Sequence, residues 1–463
     1  MGAVQAESPG AGWRLRVGTW TSRPLYNFYA IVSLTGLLTT FGLMMVLSSS
    51  SVESYRNSHN PYARFLPQVG YAIIGAVLFV AMVRIPTRLI RRAAPWLLVA
   101  ALGLLTAVLI PGIGQEQMGS RSWIFIAGLS FQPSEFGKIA LTAWTAHIVA
   151  AHIAQRRNVN QALPVVVGVS LLVLFVTVLQ KDLGQTITLG VIFMAVLWFG
   201  LFKARTFFAI GAGCAAAFLV LGLTAGYRSD RIKAYLNPSL DPQGLNYQSI
   251  QAKYALAGGG LFGRGLGQSD SKWSYLPQSY NDFIFAIIGE ELGMLGALAV
   301  VAIFAAILWI GLRISARSLD PFLKILTATA TAWITVQALI NISYVVGLLP
   351  VTGLQLPLVS AGGTSMLSTM VMFGLIAHAA LREPEAAVAV RSASGQTWVT
   401  QVFGRLSNEE RHSHPRRMHA PFRARPANAT APPRKRAPGA APPSRKRGTG
   451  TGAPPRKRAP VPR

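Results

Sequence analysis

The stretch IFAIIGEELGMLGALAVVAIFAAILWIGL, residues 284–312, carries two adjacent carboxylates near its start, Glu290 and Glu291, and then runs from Leu292 to Leu312 without a charge. A helix rises about 1.5 Å per residue, so such a run covers the roughly 30 Å of hydrocarbon in a bilayer. Nine further stretches read the same way: 28–49, 68–86, 95–111, 134–153, 163–179, 184–202, 207–226, 323–348 and 363–381. Composition agrees, since 51% of the 463 residues are hydrophobic and only 13% are charged, which excludes an ordinary water-soluble enzyme. The fold expected is an all-α integral membrane protein of about ten transmembrane helices.

Charge sets the expected orientation. Arg84, Arg88, Arg91, Arg92, Arg156, Arg157, Lys203, Arg205, Arg313, Arg317 and Lys324 fall in or beside the loops after spans two, four, six and eight, which should be cytoplasmic. The loops after spans one, three, five and nine hold only Arg56, Arg64, Arg121 and Lys181 and should be external. An even number of spans then puts both termini in the cytoplasm. Residues 1–27 are polar and mixed, and no short apolar region with a cleavage site precedes the first span, so that span reads as an uncleaved anchor. A single cysteine, Cys214, rules out a disulfide framework and a cysteine-based zinc cluster.

Two regions depart from the span pattern. The loop 227–283 is long for a connection and is expected to be external and ordered. Within it Tyr247, Ile250, Tyr254 and Leu261 recur at helical spacing, which reads as an amphipathic helix on the membrane surface. GGGLFGRGLGQS (258–269) follows, with a glycine-rich flexible backbone suited to close approach to a ligand, the two together forming a roof over the bundle. From Arg382 to Arg463 there are 18 Lys and Arg against four Glu, with PPRKRAP at 432–438 and again at 454–460; this tail is expected to be disordered and cytoplasmic. Such cationic clusters suit anionic membrane lipids or an acidic protein segment.

Carboxylates near the external surface are the first candidates for chemistry, because a charge there is costly unless paired or used. They are Glu135, Asp182, Asp282 and the Glu290–Glu291 pair. Asp282 lies where YLPQSYNDFIF (275–285) re-enters the membrane. A carboxylate between low dielectric and water can become a usable base, and Asp is equally a favoured helix cap, so both readings stand at this point. Glu135 and Lys138 are three apart on one helical face and can pair. Trp123 beside Arg121 reads as an interfacial aromatic, and Arg228, Arg231 and Lys233 form a cationic cluster suited to phosphate. There is no protein metal cage and no nucleotide-binding fingerprint; no organic cofactor is expected, and a divalent ion (Mg or Mn) bridging carboxylate and diphosphate is the metal role left open.

The motifs SFQPSEFGKIAL (130–141), KDLGQT (181–186), NPSLDPQGLNYQSIQAKYALAGGGLFGRGLGQS (237–269), KWSYLPQSYNDFIFAIIGEELG (272–293) and NISYVVGLLPVTGLQLPLVSAGGTS (341–365) occur in this order. On them, over about residues 28–385, the chain resembles the SEDS family (shape, elongation, division and sporulation), most closely its cell-division branch. The resemblance implies a peptidoglycan glycosyltransferase that polymerises lipid II outside the bacterial plasma membrane, at the division septum, with a class B penicillin-binding transpeptidase. It implies that Asp282 is the catalytic residue and that Trp123, Glu135 and Lys138 match family positions. Ala361, Lys181 and Tyr280 depart from the family wording, which often has tyrosine, proline and histidine there. With this implied chemistry, Arg228, Arg231, Lys233 and Lys253 become the candidate diphosphate ligands. Divisome proteins, FtsZ among them through the basic tail, are the further partners expected, and no nucleic acid is. A lipid II flippase, a non-catalytic divisome scaffold and an elongation polymerase are the alternative readings.

Overall fold

A computed structural model describes residues 23–117, 119–126, 129–224, 235, 246–273, 276 and 279–392. Arg228, Arg231, Lys233, most of the N-terminal segment and the tail beyond residue 392 lie outside the described residues. Every stretch read as a span coincides with a helix: α1 (Tyr26–Ser58), α2 (Phe65–Arg84), α3 (Thr87–Ala107), α4 (Pro133–Ala154), α5 (Leu163–Leu179), α6 (Leu183–Phe199), α7 (Ala204–Thr224), α9 (Ile284–Arg317), α10 (Pro321–Val345) and α11 (Gly363–Leu381). Among the described residues α1, α2, α3, α5, α9, α10 and α11 are long and apolar enough to cross a membrane, α5 together with the 3-10 turn before it, while α6 and α7 are shorter apolar helices. Local chemistry sets several ends. Extended Ile85 and Pro86 separate α2 from α3. Asp320 caps α10 by accepting from the Phe322 N–H at 2.9 Å, with Pro321 in the first turn.

Helices α10 and α11 form the middle of the bundle, buried along most of their length. The connection between them is the unusual part. Residues 346–362 are almost wholly non-helical, yet Leu354, Leu356, Leu358 and Val359 are buried, so this segment folds back into the bundle. Non-helical backbone at such a position is tolerated only if its polar groups find partners in protein. They do. Gln337 Nε2 donates to the Gln355 carbonyl (2.9 Å), the Leu356 N–H to Ser360 Oγ (2.8 Å), and the Gly362 N–H to Gln68 Oε1 (3.1 Å). α1 comes against this segment at Gly42, where a Cβ would lie 2.3 Å from the Leu358 carbonyl oxygen.

Four features differ from the sequence expectations. Between α3 and α4 a three-stranded antiparallel sheet forms from β1 (Gly114–Gln117), β2 (Ser120–Ile126) and β3 (Leu129–Phe131), in the order β1-β2-β3. It is fastened to the bundle where the Arg121 N–H donates to the Gln180 carbonyl at 3.0 Å. Second, the helix α8 (Tyr247–Gly259) exists but ends before Leu261, and the face it turns to the bundle is Ala252, Ala255 and Gly259. This small face packs there because Gly259 lets the backbone come against the Gly289 carbonyl on α9, where a Cβ would lie 1.9 Å away. Tyr254 and Leu261 are exposed.

Third, the glycine-rich segment after α8 is pinned rather than free. α9 breaks at Gly293 (φ 71°, ψ −170°), and the segment docks in the break: the Arg264 and Gly265 N–H groups donate to the carbonyls of Glu290 (3.0 Å) and Glu291 (2.9 Å). Fourth, the tail expected to be disordered from Arg382 begins with a helix, α12 (Pro384–Ser392). It is held by buried Glu383, which accepts from Asn27 Nδ2 at 2.8 Å and lies 3.5 Å from Arg317.

The contact of α1 with the buried connection is testable. Gly42→Ala drives a Cβ into backbone and should cost about 1–3 kcal/mol, seen as a lower thermal unfolding temperature of the solubilised protein. Gly36→Ala on the same helix, where nothing lies within 4 Å of the new atom, should leave it unchanged or raise it.

Candidate active site

Asp282 is partly buried at the end of the bundle from which α9 starts. The helix-cap position is Phe283, so Asp282 lies one residue outside it. Two side chains on one face of α10, three residues apart, hold its backbone: the Asp282 carbonyl accepts from Asn341 Nδ2 at 2.9 Å and from the Tyr344 hydroxyl at 2.8 Å. The same amide also donates to the Leu354 carbonyl at 2.7 Å, and the single proton of the Tyr344 hydroxyl, 2.7 Å from that carbonyl, is shared between it and the Asp282 carbonyl. Asp282 is thereby fastened to the buried α10–α11 connection. Gly353, in the left-handed region with φ 72°, offers bare backbone to the carboxylate; a Cβ there would lie 3.6 Å from Asp282 Oδ2.

Tyr280 lies beside this loop with its ring under the Arg64 guanidinium, 4.4 Å from it, and Arg64 is in turn paired with Glu53 at 2.9 Å. Burial pushes the Tyr280 phenol up from its ordinary value; Arg64 opposes this, while the Glu53 and Asp282 charges add to it. The Tyr280 carbonyl accepts from the Ala361 N–H at 3.0 Å. Two of the departures from the family wording are therefore neighbours, a phenol in place of an imidazole at 280 beside a ring absent at 361.

Asp182 caps α6. Its Oδ1 accepts from the Gln185 N–H at 3.1 Å and its Oδ2 from Gln132 Nε2 at 3.0 Å. Burial raises its pKa from the ordinary carboxylate value, against the hydrogen bonds from Gln185, Ser122 and Gln132, with the nearby Glu135 charge adding to the rise. The first turn of α6 brings Gly184 against the α10–α11 connection, where a Cβ would lie 2.7 Å from the Thr352 carbonyl oxygen. Gly184 and Asp282 thus both adjoin the short run Thr352–Gly353.

Glu135 and Lys138 pair as the spacing predicts, at 2.7 Å, and both are buried. The structure adds their surroundings. Glu135 also accepts from Gln185 Nε2 (2.9 Å) and Ser368 Oγ (2.6 Å), and Lys138 Nζ donates to Gln337 Oε1 (3.1 Å) with the Trp333 ring 4.9 Å away. Four helices, α4, α6, α10 and α11, meet in this one network.

Trp123 is on β2, half-buried and paired with Gln115, while its neighbour Ser122 reaches Asp182. Lys253 is exposed on α8, its ammonium end lying over Gly347 just after α10. Arg228, Arg231 and Lys233 lie outside the described residues, and Arg64, counted in the sequence only for orientation, is brought to Tyr280. Among the described residues no group of three or more His, Cys, Asp or Glu is arranged to hold a metal. Sequence reasoning missed Gln185, Gln337, Asn341, Tyr344 and Ser368. The signal was there for three of them, since Gln337, Asn341 and Tyr344 recur at spacings of four and three inside an apolar span.

Comparison with known proteins adds the following. Residues 29–384 match the FtsW, RodA and SpoVE family, described as cell cycle protein. A probable peptidoglycan glycosyltransferase FtsW of Mycobacterium tuberculosis is 46% identical over 392 residues, covering 84% of this chain and 75% of that protein. Stage V sporulation protein E of Bacillus subtilis is 36% identical over 347 residues, covering 75% of this chain and 94% of that protein. Among solved structures, a chain of a peptidoglycan synthase complex that coordinates polymerization and crosslinking superposes with a TM-score of 0.62 at 23% identity, covering 77% of this chain and 98% of its own. The rod shape determining protein RodA of Thermus thermophilus gives 0.57 at 22%, covering 77% and 97%. At that identity the likeness is one of fold.

Two outcomes test the buried charges. Lys138→Met leaves Glu135 without its counter-ion and should lower stability by roughly 3–5 kcal/mol, while adding Glu135→Gln should recover most of the loss, read by thermal unfolding of all three variants. Asp182 tests the sign of a raised pKa. Its favourable contribution is present below the unfolded value near 3.8 and is lost as pH rises through the higher folded value. Asp182→Asn removes this, so the variant should gain stability relative to the unsubstituted protein on going from pH 4 to pH 8.

Proposed function

The chain belongs to the FtsW, RodA and SpoVE family of cell cycle proteins, and from that premise we propose that it is a division-associated peptidoglycan glycosyltransferase that polymerises lipid II into glycan strands. In the reaction a sugar hydroxyl of one lipid-linked substrate attacks the anomeric carbon of another. A carbon–oxygen bond forms, the bond to undecaprenyl diphosphate breaks, the hydroxyl proton passes to a base, and the diphosphate leaves with the electron pair. A single displacement of this kind inverts the anomeric centre and needs one carboxylate base rather than a pair.

Asp282 is that base in this reading, and the observation that carries it is the fixing of its backbone. Asn341 and Tyr344 hold the Asp282 carbonyl while the carboxylate stands beside Gly353 at the end of the bundle. A base held on a fixed backbone reaches the hydroxyl with little reorganisation. Arg228, Arg231, Lys233 and Lys253 are the cations we assign to the leaving diphosphate, and Trp123 the aromatic we assign to the substrate headgroup. A divalent ion, Mg or Mn, would supply Lewis-acid charge between Asp282 and the diphosphate; among the described residues no group of three or more His, Cys, Asp or Glu is arranged as a cage, which suits a metal shared with substrate.

The protein is a multi-pass membrane protein. The distribution of Lys and Arg supports external placement of the Asp282 end and cytoplasmic termini. A penicillin-binding transpeptidase of class B is the partner proposed, in keeping with the synthase complex whose chain shares this fold. At the division septum the basic tail would meet anionic lipid and acidic segments of divisome proteins, FtsZ among them.

Purified protein with lipid II, its transpeptidase and a divalent cation should yield glycan polymer, and Asp282→Asn should lower the rate by about 10²-fold or more while expression and unfolding temperature stay near those of the parent. Polymer at the parental rate from the Asn variant would remove Asp282 as base.

A further inference from the structure

The glycine-rich segment after α8 is held with more interactions than a connection needs. Besides its two hydrogen bonds to the Glu290 and Glu291 carbonyls, it is gripped by the buried side chains of those residues. Glu290 accepts from Ser269 Oγ at 2.6 Å and from the Asp270 N–H at 3.0 Å; Glu291 lies 3.8 Å from Lys272 Nζ and accepts from Ser48 Oγ of α1 at 2.6 Å. Burying two carboxylates is costly unless each is satisfied, so this cluster commits the loop to one shape. In that shape the loop turns two large apolar side chains outward. Leu261 is 56% exposed and Phe262 79% exposed.

Their height along the bundle is fixed by backbone hydrogen bonds. The Met294 N–H donates to the Gly260 carbonyl at 2.9 Å and the Leu295 N–H to the Leu261 carbonyl at 3.3 Å. Met294 begins the part of α9 that continues past the Gly293 break as a membrane-crossing helix. Met294, Leu295 and Leu298 are themselves about half exposed and form the lipid face of its first turns. The loop tip is therefore continuous with a lipid-facing surface at the level where that surface begins.

We propose that residues 260–262 are a bilayer-interface wedge, with Leu261 and Phe262 inserted at the boundary between headgroups and hydrocarbon beside α9. Apolar side chains at that boundary leave water without needing a shaped pocket, and the lipid face of α9 to which the Leu261 backbone is bonded identifies the phospholipid surface as what they meet. The wedge would hold the break in α9, and through the half-helix Ile284–Leu292 the Asp282 loop, at a fixed depth. This goes beyond the glycosyltransferase reading and does not depend on it.

The test uses the full chain with Cys214→Ala, which removes the sole cysteine, and Phe262→Cys carrying a bimane label, in nanodiscs of phosphatidylethanolamine and phosphatidylglycerol. Quenching by a phospholipid with a nitroxide high on its acyl chain should exceed quenching by aqueous iodide several-fold. A label at Asn60→Cys, in an exposed connection at the same end, should give the reverse order. A label at Leu261→Cys repeats the measurement if the Phe262 variant unfolds early. Strong iodide quenching, or quenching by neither agent, would overturn the proposal; iodide quenching that disappears only on adding the transpeptidase would assign the patch to that protein instead.

Discussion

The hydrogen bonds that Asn341 and Tyr344 make to two carbonyls at once, those of Asp282 and Leu354, are the constraint on which the rest of the architecture turns. A bilayer offers no water to an open backbone, so each non-helical segment drawn into the bundle must find its partners in side chains. Here two such segments, the end of the long loop and the α10–α11 connection, solve the problem together by sharing one face of α10. The bond from the Ala361 N–H to the Tyr280 carbonyl is a second tie between the same two segments. The segment that carries Asp282 is thus fixed through its main chain by two side chains of α10.

Buried charge serves a related purpose at two levels of the bundle. Helices in lipid gain little from apolar contact with one another, so polar ties carry more of the specificity of packing. Glu135 and Lys138 gather α4, α6, α10 and α11 into one network, and Glu290 and Glu291 gather α1, α9 and the loop after α8 into another. Both are satisfied by neutral donors and acceptors as well as by the opposite charge. A network of this kind fixes relative helix positions, because a shift of one member leaves a buried ion without partners.

The helices were legible in the sequence because one property, an apolar run of the right length, decides them. The carboxylates were legible too, since a charge beside such a run stands out. What could not be read were the relations that depend on which faces meet. The stripe Tyr247–Ile250–Tyr254–Leu261 has the right period for a helix, but the helix ends before Leu261, and the face it turns to the bundle is Ala252–Ala255–Gly259, where the backbone comes close at Gly259 and Gly289. The glycines of 258–267 announced unusual backbone but not whether it was free or pinned; the answer lay in Glu290 and Glu291, well further along the chain. Strands β1 to β3 are short and sit between two spans, where length gives no signal.

The distribution of these features bears on the kind of chemistry. A transporter must carry a polar cargo through the middle of its bundle and lines that path with groups that exchange partners. In this chain, among the described residues, the buried ions are each committed to several short hydrogen bonds: Glu135 to Lys138, Gln185 and Ser368, Glu290 to Ser269 and the Asp270 N–H, and Glu383 to Asn27 at the opposite end. Asp282 is half-open, it lies outside the cap position of its helix, and its main chain is held by α10. The committed ions lie inside the bundle, and this partly open carboxylate lies at one end of it. A bundle whose buried ions are committed in this way, among the described residues, suits a membrane-embedded glycosyltransferase better than a carrier.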